Sequence, residues 1–396
     1  MPKFSVLTAR HVSQAGGNPL GHERRAHQWL LGRSTGRLEC SRRPPRRQPI
    51  CRARWSKTAP GFGLLYDFRQ RAPFSQAYGS YYAECLAQVQ AAEELGYQAV
   101  WLSEHHFTPD GFLPSPLVVA AAIAARTSRV RIGTNVLPLP LYHPLRVAED
   151  AAVVDLLSGG RFVLGIGQGY AAHEFEAFGV DRRRRPSLLE DGIAILRSAW
   201  EQGRTGFDGR RWRLPDLPFG PRPDGRIPIY LGAVSSKAVD RAVRLADGLL
   251  VYCSTPEDFV ARYDLLQQVL GEHGRDGRGF PFVATGIVHV DRDAGRAWDE
   301  AATAVAYLEG GIASYAAGGD GPPPDQGPAD LRAADLLVGT PDEVAERLIA
   351  LHRQAPYDQF AFWGRLPGFG HEQALRSIRL FASEVAPKVR AALAGR

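Results

Sequence analysis

Ala99-Val100-Trp101-Leu102-Ser103-Glu104-His105-His106-Phe107 is the stretch from which the fold of this 396-residue chain is best read. Four consecutive apolar residues fit a strand buried on both faces, as in a parallel sheet. The run then changes into a carboxylate, two imidazoles and a phenyl ring. Packing alone gives no reason for adjacent histidines at a strand end. The wall of a site does, because imidazole can hold or release a proton near neutral pH. Chemistry gathered where a buried strand surfaces suggests an architecture that presents its strand C-termini on one face.

The same alternation extends in both directions. Apolar runs at 61–68, 98–103, 130–136, 162–166, 227–231, 249–252, 282–290 and 359–363 read as eight strands. Helical spacing is predicted over 81–95, 115–127, 144–157, 185–202, 236–245, 256–273 and 296–309, with a terminal helix from 372. Ser115-Pro116 suits an N-cap and first turn, and Gly159 suits a left-handed C-cap. Thr340-Pro341-Asp342-Glu343 has the spacing of a capping box. The polar stretch 205–224 reads as a hairpin or loop. Eight strands alternating with helices from residue 61 to 396 predict an α/β protein, a (β/α)₈ TIM barrel in one domain. An insertion loop follows strand 7, where Gly310 to Pro328 is rich in Gly and Pro. A loop of that length is either a cover over the site or a solvated insertion.

Charge is unevenly spread. Residues 1–60 hold 13 basic and 2 acidic groups, whereas residues 61–396 hold 35 basic and 40 acidic groups, a net of −5. The body is mildly acidic, which speaks against nucleic acid as a partner. The Arg/Pro-rich leader has no apolar periodicity and is expected to be disordered. It reads as a transit peptide or as translated sequence upstream of the true start. The second is preferred, because no clean amphipathic helix is visible. No apolar run reaches the ~20 residues of a membrane span. The four cysteines, Cys40, Cys51, Cys85 and Cys253, lack metal-ligand spacing and read as free thiols in a reducing cytoplasm.

Several strand ends carry polar or small residues: Tyr66-Asp67, His105-His106, Asn135, Gly165 to Tyr170, and Gly232 to Ser236. Side-chain alternation sends only one of His105 and His106 toward a site. Gly165, Gly167 and Gly169 are not a dinucleotide fingerprint, since Tyr170 stands where a further glycine belongs. They let backbone pass close to something flat or bulky, or equally serve tight strand-to-helix packing. Ser235-Ser236-Lys237 begins a helix; it is suited to hold a phosphate or simply to cap. His143, His173 and His289 read as surface or packing residues. No H-x-H or H-E-x-x-H spacing indicates a metal.

Read in order, Glu104-His105-His106-Phe107, Ile132-Gly133-Thr134-Asn135-Val136-Leu137-Pro138-Leu139-Pro140, His143-Pro144 with Glu149-Asp150, Leu156 to Phe162, Gly165-Ile166-Gly167, Phe178-Gly179-Val180-Asp181, Pro228-Ile229-Tyr230 and Val338-Gly339-Thr340-Pro341 resemble the bacterial luciferase-like flavin monooxygenase family. The resemblance covers nearly all of 61–396. It implies a (β/α)₈ barrel, reduced FMN as cofactor, and O₂ added to form a flavin 4a-hydroperoxide that oxygenates a small organic substrate. With no nicotinamide fold present, reduced flavin is expected from a separate reductase. By position, the resemblance makes His105 the base near the reactive flavin carbon. Asn135 and Val136 match a strand-three bulge with a non-proline cis peptide. Gln168, Ser235 and the helix start at Ser236 match phosphate-binding positions, and Gly169, Tyr170, Gly232 and Lys237 join them as cofactor contacts. Tyr66, Phe74, Phe107, Tyr142 and Tyr170 are candidates for an apolar substrate wall. The segment near 310–335 matches the mobile loop that shields the intermediate. Luciferase itself has an arginine in place of Gln168, a glutamate in place of Val234 and a threonine in place of Ala238. A deazaflavin-dependent hydride transferase on the same barrel is the nearest rival, followed by a non-catalytic flavin-binding relative. Relatives are often dimers, so a homodimer is a further expectation.

Overall fold

The computed structural model describes residues 60–71, 75–253, 255–317 and 337–394. In chain order the strands are β1 (Gly61–Tyr66), β2 (Ala99–Leu102), β3 (Arg131–Thr134), β4 (Leu137–Pro138), β5 (Phe162–Gly167), β6 (Phe207–Asp208), β7 (Arg213–Leu214), β8 (Ile229–Gly232), β9 (Gly248–Tyr252), β10 (Phe282–Gly286), β11 (Val288–Val290), β12 (Leu337–Gly339) and β13 (Gln359–Trp363). The helices are α1 (Tyr78–Glu94), α2 (Pro116–Arg126), α3 (Pro144–Ser158), α4 (Ala172–Ala177), α5 (Arg185–Gln202), α6 (Ser236–Leu245), α7 (Pro256–Glu272), α8 (Ala294–Ala317), α9 (Pro341–Gln354), α10 (His371–Leu380) and α11 (Ala386–Leu393).

β1, β2, β3, β5, β8, β9, β10 and β13 pair in parallel, and the β3–β5 pairing closes the ring. The result is an eight-stranded (β/α)₈ barrel, as the alternation of runs predicted. Successive side chains point to opposite faces of each strand. Leu65, Trp101, Val163, Tyr230, Leu250 and Val283 belong to one cluster inside the ring, while Leu64, Val100, Leu164 and Leu231 pack with the helices outside it. The barrel strands are mostly apolar on both faces because both faces are covered, with Thr134, Thr285 and Gln359 as buried polar exceptions.

The segment after barrel strand seven departs from expectation. The run 282–290 breaks at Ile287: β10 stays in the barrel, while β11 leaves it to pair with β12. The predicted helix 296–309 continues to Ala317, through Gly310 and Gly311, where a loop was expected. The reason is tertiary. Ala297, Ala301, Ala304, Val305 and Leu308 pack into the barrel-interior cluster. That burial outweighs the ~1 kcal/mol by which each glycine disfavours a helix. The remainder of the expected loop, 318–336, lies outside the described residues, as does the leader up to residue 59. β6 and β7 form the small antiparallel hairpin expected in 205–224.

The capping box at Thr340 is present: Thr340 Oγ1 accepts from the Glu343 N–H, and Glu343 accepts from the Thr340 N–H at 2.8 Å. Cys85 and Cys253 are free thiols. No described helix is long and apolar enough to cross a membrane. Among the described residues, no group of three or more His, Cys, Asp or Glu is placed to hold a metal.

The glycines of β5 are set by the barrel wall. A Cβ on Gly165 would lie 1.8 Å from the Thr134 carbonyl oxygen and 2.6 Å from Leu250 Cδ1. Gly165→Ala should therefore destabilise the fold by about 1–3 kcal/mol or more. Gly79→Ala, where nothing lies within 4 Å, should stay within about 0.5 kcal/mol of the parent. Urea denaturation of the two variants checks the contrast.

Candidate active site

The residues singled out at the strand ends gather on the C-terminal face of the barrel. His105 and His106 follow β2, Asn135 and Val136 follow β3, Gln168 to Tyr170 follow β5, and Ser235 to Lys237 follow β8. Two groups of them touch.

The first group is built around a buried carboxylate. Glu174, on the short helix α4, has a side chain 2% exposed. Its Oε1 lies 2.8 Å from His105 Nδ1 and accepts the His106 backbone N–H at 2.8 Å. Burial alone would raise this carboxyl. The hydrogen bonds from His105 and from the His106 N–H outweigh burial and hold it below the usual carboxylate range. Glu174 is therefore ionised at neutral pH, and the geometry assigns the His105 ring proton to Nδ1. Nε2 is then the acceptor, 3.1 Å from the Tyr170 hydroxyl. Burial first, and then the Glu174 charge, push the Tyr170 phenol up to about 12, so it stays protonated. Phe112 meets the His105 ring edge-on at 4.8 Å and carries the Arg69 guanidinium over its face, 4.6 Å from the ring centroid.

His106 turns the other way, as alternation required. Its Nε2 is 2.8 Å from Oε1 of Glu104, which also accepts the Tyr142 hydroxyl at 2.5 Å. Glu104 Oε2 is buried with no hydrogen-bond partner. Here burial dominates, and the donors His106 and Tyr142 offset it only in part, so the Glu104 carboxyl is raised. His173 Nε2 lies 3.1 Å from the His106 carbonyl oxygen. Neither Glu174 nor α4 was visible in the sequence. Glu174 is 69 positions from His105, and a six-residue helix shows no usable periodicity.

The second group is a floor. The Asn135–Val136 peptide is cis. Hypothetical Cβ atoms on Gly167 and Gly232 would lie 2.7 and 2.9 Å from the Val136 methyls. These two glycines leave space for the Val136 methyls, as Gly165 does for the Thr134 carbonyl. Asn135 Nδ2 donates to Thr285 Oγ1 at 2.8 Å, reaching from β3 to β10 on the opposite wall. Gly169 has φ +69° and abuts Phe175.

Ser235, Ser236 and Lys237 are exposed at the start of α6, and Ser235 makes no side-chain capping bond there. Arg262, from α7, donates Nη1 to the Val234 carbonyl at 3.0 Å, which brings a guanidinium beside this helix start. Sequence spacing gave no sign of it. Gln168 is half-buried.

Of the expected substrate wall, the structure turns Tyr66 away from the barrel interior. Tyr66 points outward: its neighbour Leu65 takes the inward position, and Tyr66 is buried against Phe68 and the helix layer. Phe107, 63% exposed with φ +58°, lies against Phe178 on the outer rim. The Tyr142 hydroxyl is spent on Glu104. Phe74 lies outside the described residues. The mouth is instead bordered by α8, whose Tyr307 hydroxyl bonds Asp110 at 2.8 Å and whose Glu309 accepts from Tyr252 at 2.5 Å.

Residues 62–358 match the family of luciferase-like monooxygenases. The chain belongs to that family. Among curated relatives, the alkanal monooxygenase alpha chain of the Kryptophanaron alfredi symbiont is 30% identical over 213 residues, 53% of this chain and 60% of that one. The F420-dependent glucose-6-phosphate dehydrogenase of Kineococcus radiotolerans is 38% identical over 167 residues, 40% of this chain and 49% of that one. These matches span about half the length of each protein. Of solved structures, monooxygenase RslO1 from Streptomyces bottropensis superposes with a TM-score of 0.73 at 25% identity, covering 83% of this chain and 99% of that one. The oxygenating constituent of 3,6-diketocamphane monooxygenase from Pseudomonas putida, in complex with FMN, gives 0.69 at 18% identity, covering 83% and 98%, and shows the shared fold.

The two buried glutamates should titrate with opposite signs. Glu174, depressed in the folded state, stabilises the fold above the ordinary carboxylate range, and this contribution is lost as pH falls through its folded pKa. Glu104, raised in the folded state, loses stability for the fold as pH climbs from the ordinary range to its folded pKa. On acidification, wild type should lose its advantage over Glu174→Gln and improve relative to Glu104→Gln. Thermal midpoints of the three proteins across an acid-to-neutral pH series read the signs.

Proposed function

We propose that this protein is a flavin-dependent monooxygenase that uses reduced FMN and O₂ to oxygenate a small organic substrate. A separate reductase supplies the reduced flavin. The observation that carries this reading is His105, fixed at the barrel mouth between ionised Glu174 and the Tyr170 phenol. Family membership and the FMN complex of a fold neighbour support it.

The residues present suit the cofactor. The free Ser235 hydroxyl, the first-turn N–H groups of α6, Ser236, Lys237 and Arg262 form a donor set for a phosphate, with Gln168 on the adjacent strand end. Val136, seated between Gly167 and Gly232, offers an apolar surface for a flat ring. Lys237 supplies positive charge at this helix start, and Arg262, paired with Asp258 at 2.8 Å, adds N–H donors beside it. When bound, reduced FMN supplies the electrons that activate O₂ and the oxygen atom passed to the substrate. His105 holds or moves a proton at Nε2. Glu174 fixes the ring orientation, and Tyr170 donates to Nε2. Helix α8, with Tyr307 and Glu309 tied to the rim, limits water.

A second reading, hydride transfer with a deazaflavin, is favoured by the F420-dependent relative. Anaerobic protein with reduced FMN, mixed rapidly with O₂, should show a transient absorbance distinct from reduced and oxidised FMN. Protein that binds F420 and leaves FMN oxidation unaltered supports the second reading instead. His105→Ala should still bind FMN, with substrate oxygenation down by about 10²–10⁴. Full turnover in that variant removes the role.

The reading includes a cytoplasmic homodimer. Val118 is 70% and Leu157 57% exposed, on the neighbouring helices α2 and α3, and both are large apolar side chains. Light scattering should give twice the chain mass, falling to one chain in Val118→Glu/Leu157→Glu.

A further inference from the structure

Arg182-Arg183-Arg184-Arg185 follows Asp181 in a 3₁₀ turn that runs into the first residue of α5. Four guanidinium groups share one adjacent carboxylate. Asp181 bonds Arg183 at 3.0 Å and lies 3.4 Å from Arg184. Arg182 donates Nη1 to the Tyr170 carbonyl at 3.2 Å. Partial burial, and then repulsion from Arg182, hold Arg185 below the usual guanidinium range. None of the three turn arginines is buried, and the Arg183 side chain is 91% exposed. Four like charges at the positive end of a helix repel one another and the helix dipole. No core contact of this turn accounts for that cost.

Position supplies a reason. Tyr170 joins the turn to the candidate active site: its carbonyl takes Arg182, and its hydroxyl meets His105 Nε2. Arg182 therefore stands beside the mouth, and Arg183 to Arg185 follow it in the same turn and helix start. Residues 61–396 carry 40 acidic and 35 basic groups, so their overall charge does not attract an anion. The stretch 181–185, four arginines against Asp181, concentrates positive charge in one place.

We propose that Arg182 to Arg185 form an electrostatic capture site that draws a phosphate-bearing flavin toward the mouth and speeds its association. This rests on the flavin reading above. The role is kinetic. Exposed guanidiniums hold an anion weakly in salt water, yet their combined field reaches beyond contact distance and raises encounter rates. The phosphate comes to rest at the start of α6.

The test is stopped-flow binding of FMN and of riboflavin, which lacks the phosphate, to the full chain at low and high ionic strength. Arg183→Gln/Arg184→Gln removes two rim charges, and Arg183→Lys/Arg184→Lys keeps them. At low salt the Gln variant should bind FMN about 3–10-fold more slowly than wild type, with an unchanged dissociation rate. The gap should close as salt shortens the screening length. The Lys variant should match wild type, and riboflavin should bind all three proteins at one rate. An unchanged FMN association rate in the Gln variant overturns the proposal. Equal slowing of riboflavin, or an effect confined to dissociation, does so as well. Wild type that binds neither flavin overturns the flavin reading and this inference with it.

Discussion

Glu174 Oε1 receives two N–H groups from consecutive residues, the His105 ring and the His106 backbone, and the site hangs on that pair of bonds. An ionised carboxylate at 2% exposure needs donors, because burial without them costs several kcal/mol. The end of β2 supplies both. In return α4, at six residues too short to persist alone, is anchored to the strand end. His173 adds a third tie through the His106 carbonyl oxygen. Strand two and the loop after β5 thus hold each other. The orientation of His105 follows from this lock rather than from its own backbone.

Across the mouth, the wall is organised by volume. Val136 occupies the space that Gly167 and Gly232 leave open, and Thr134 occupies the space beside Gly165. The glycines and the valine are complementary shapes from three neighbouring strands. Any flat ligand on this face would rest on a floor already filled by protein atoms. The spacing of the glycines therefore carries information about Val136, and about a ligand only through it.

This explains what could be read from the sequence. The eight barrel strands announce themselves because each is covered on both faces and so is mostly apolar. Helices α5 and α6 coincide with their predicted spans because their apolar periodicity is local, and Gly203 ends α5 in a left-handed cap. Thr340 and Glu343 revealed their capping box for the same reason, being three residues apart. Signals failed where the deciding partner was distant. Helix α8 passes through Gly310 because five apolar residues upstream bury themselves in the barrel. The strand break at Ile287 exists because β12 waits to pair with β11, some fifty residues on. Glu174 and Arg262 earn their places only in three dimensions. Tyr66 is a different case: the alternation that puts Leu65 inside already sends Tyr66 outside, and that rule was available.

Glu104 and Glu174 show how one residue type is given two characters within a single cluster. Both are buried, and both meet a histidine. Glu174 takes two N–H donors on one oxygen and stays ionised. Glu104 accepts from Tyr142 beside His106, leaves Oε2 bare, and is pushed toward its neutral form. Burial first, and in small part the charge on Glu174, raise the Glu104 carboxyl, whereas the donors on Glu174 lower its own. The carboxylate held most firmly in its ionised form is thereby the one that orients the imidazole reaching the mouth. Separating two like groups in this way is how a fold assigns distinct proton-handling roles to chemically identical side chains.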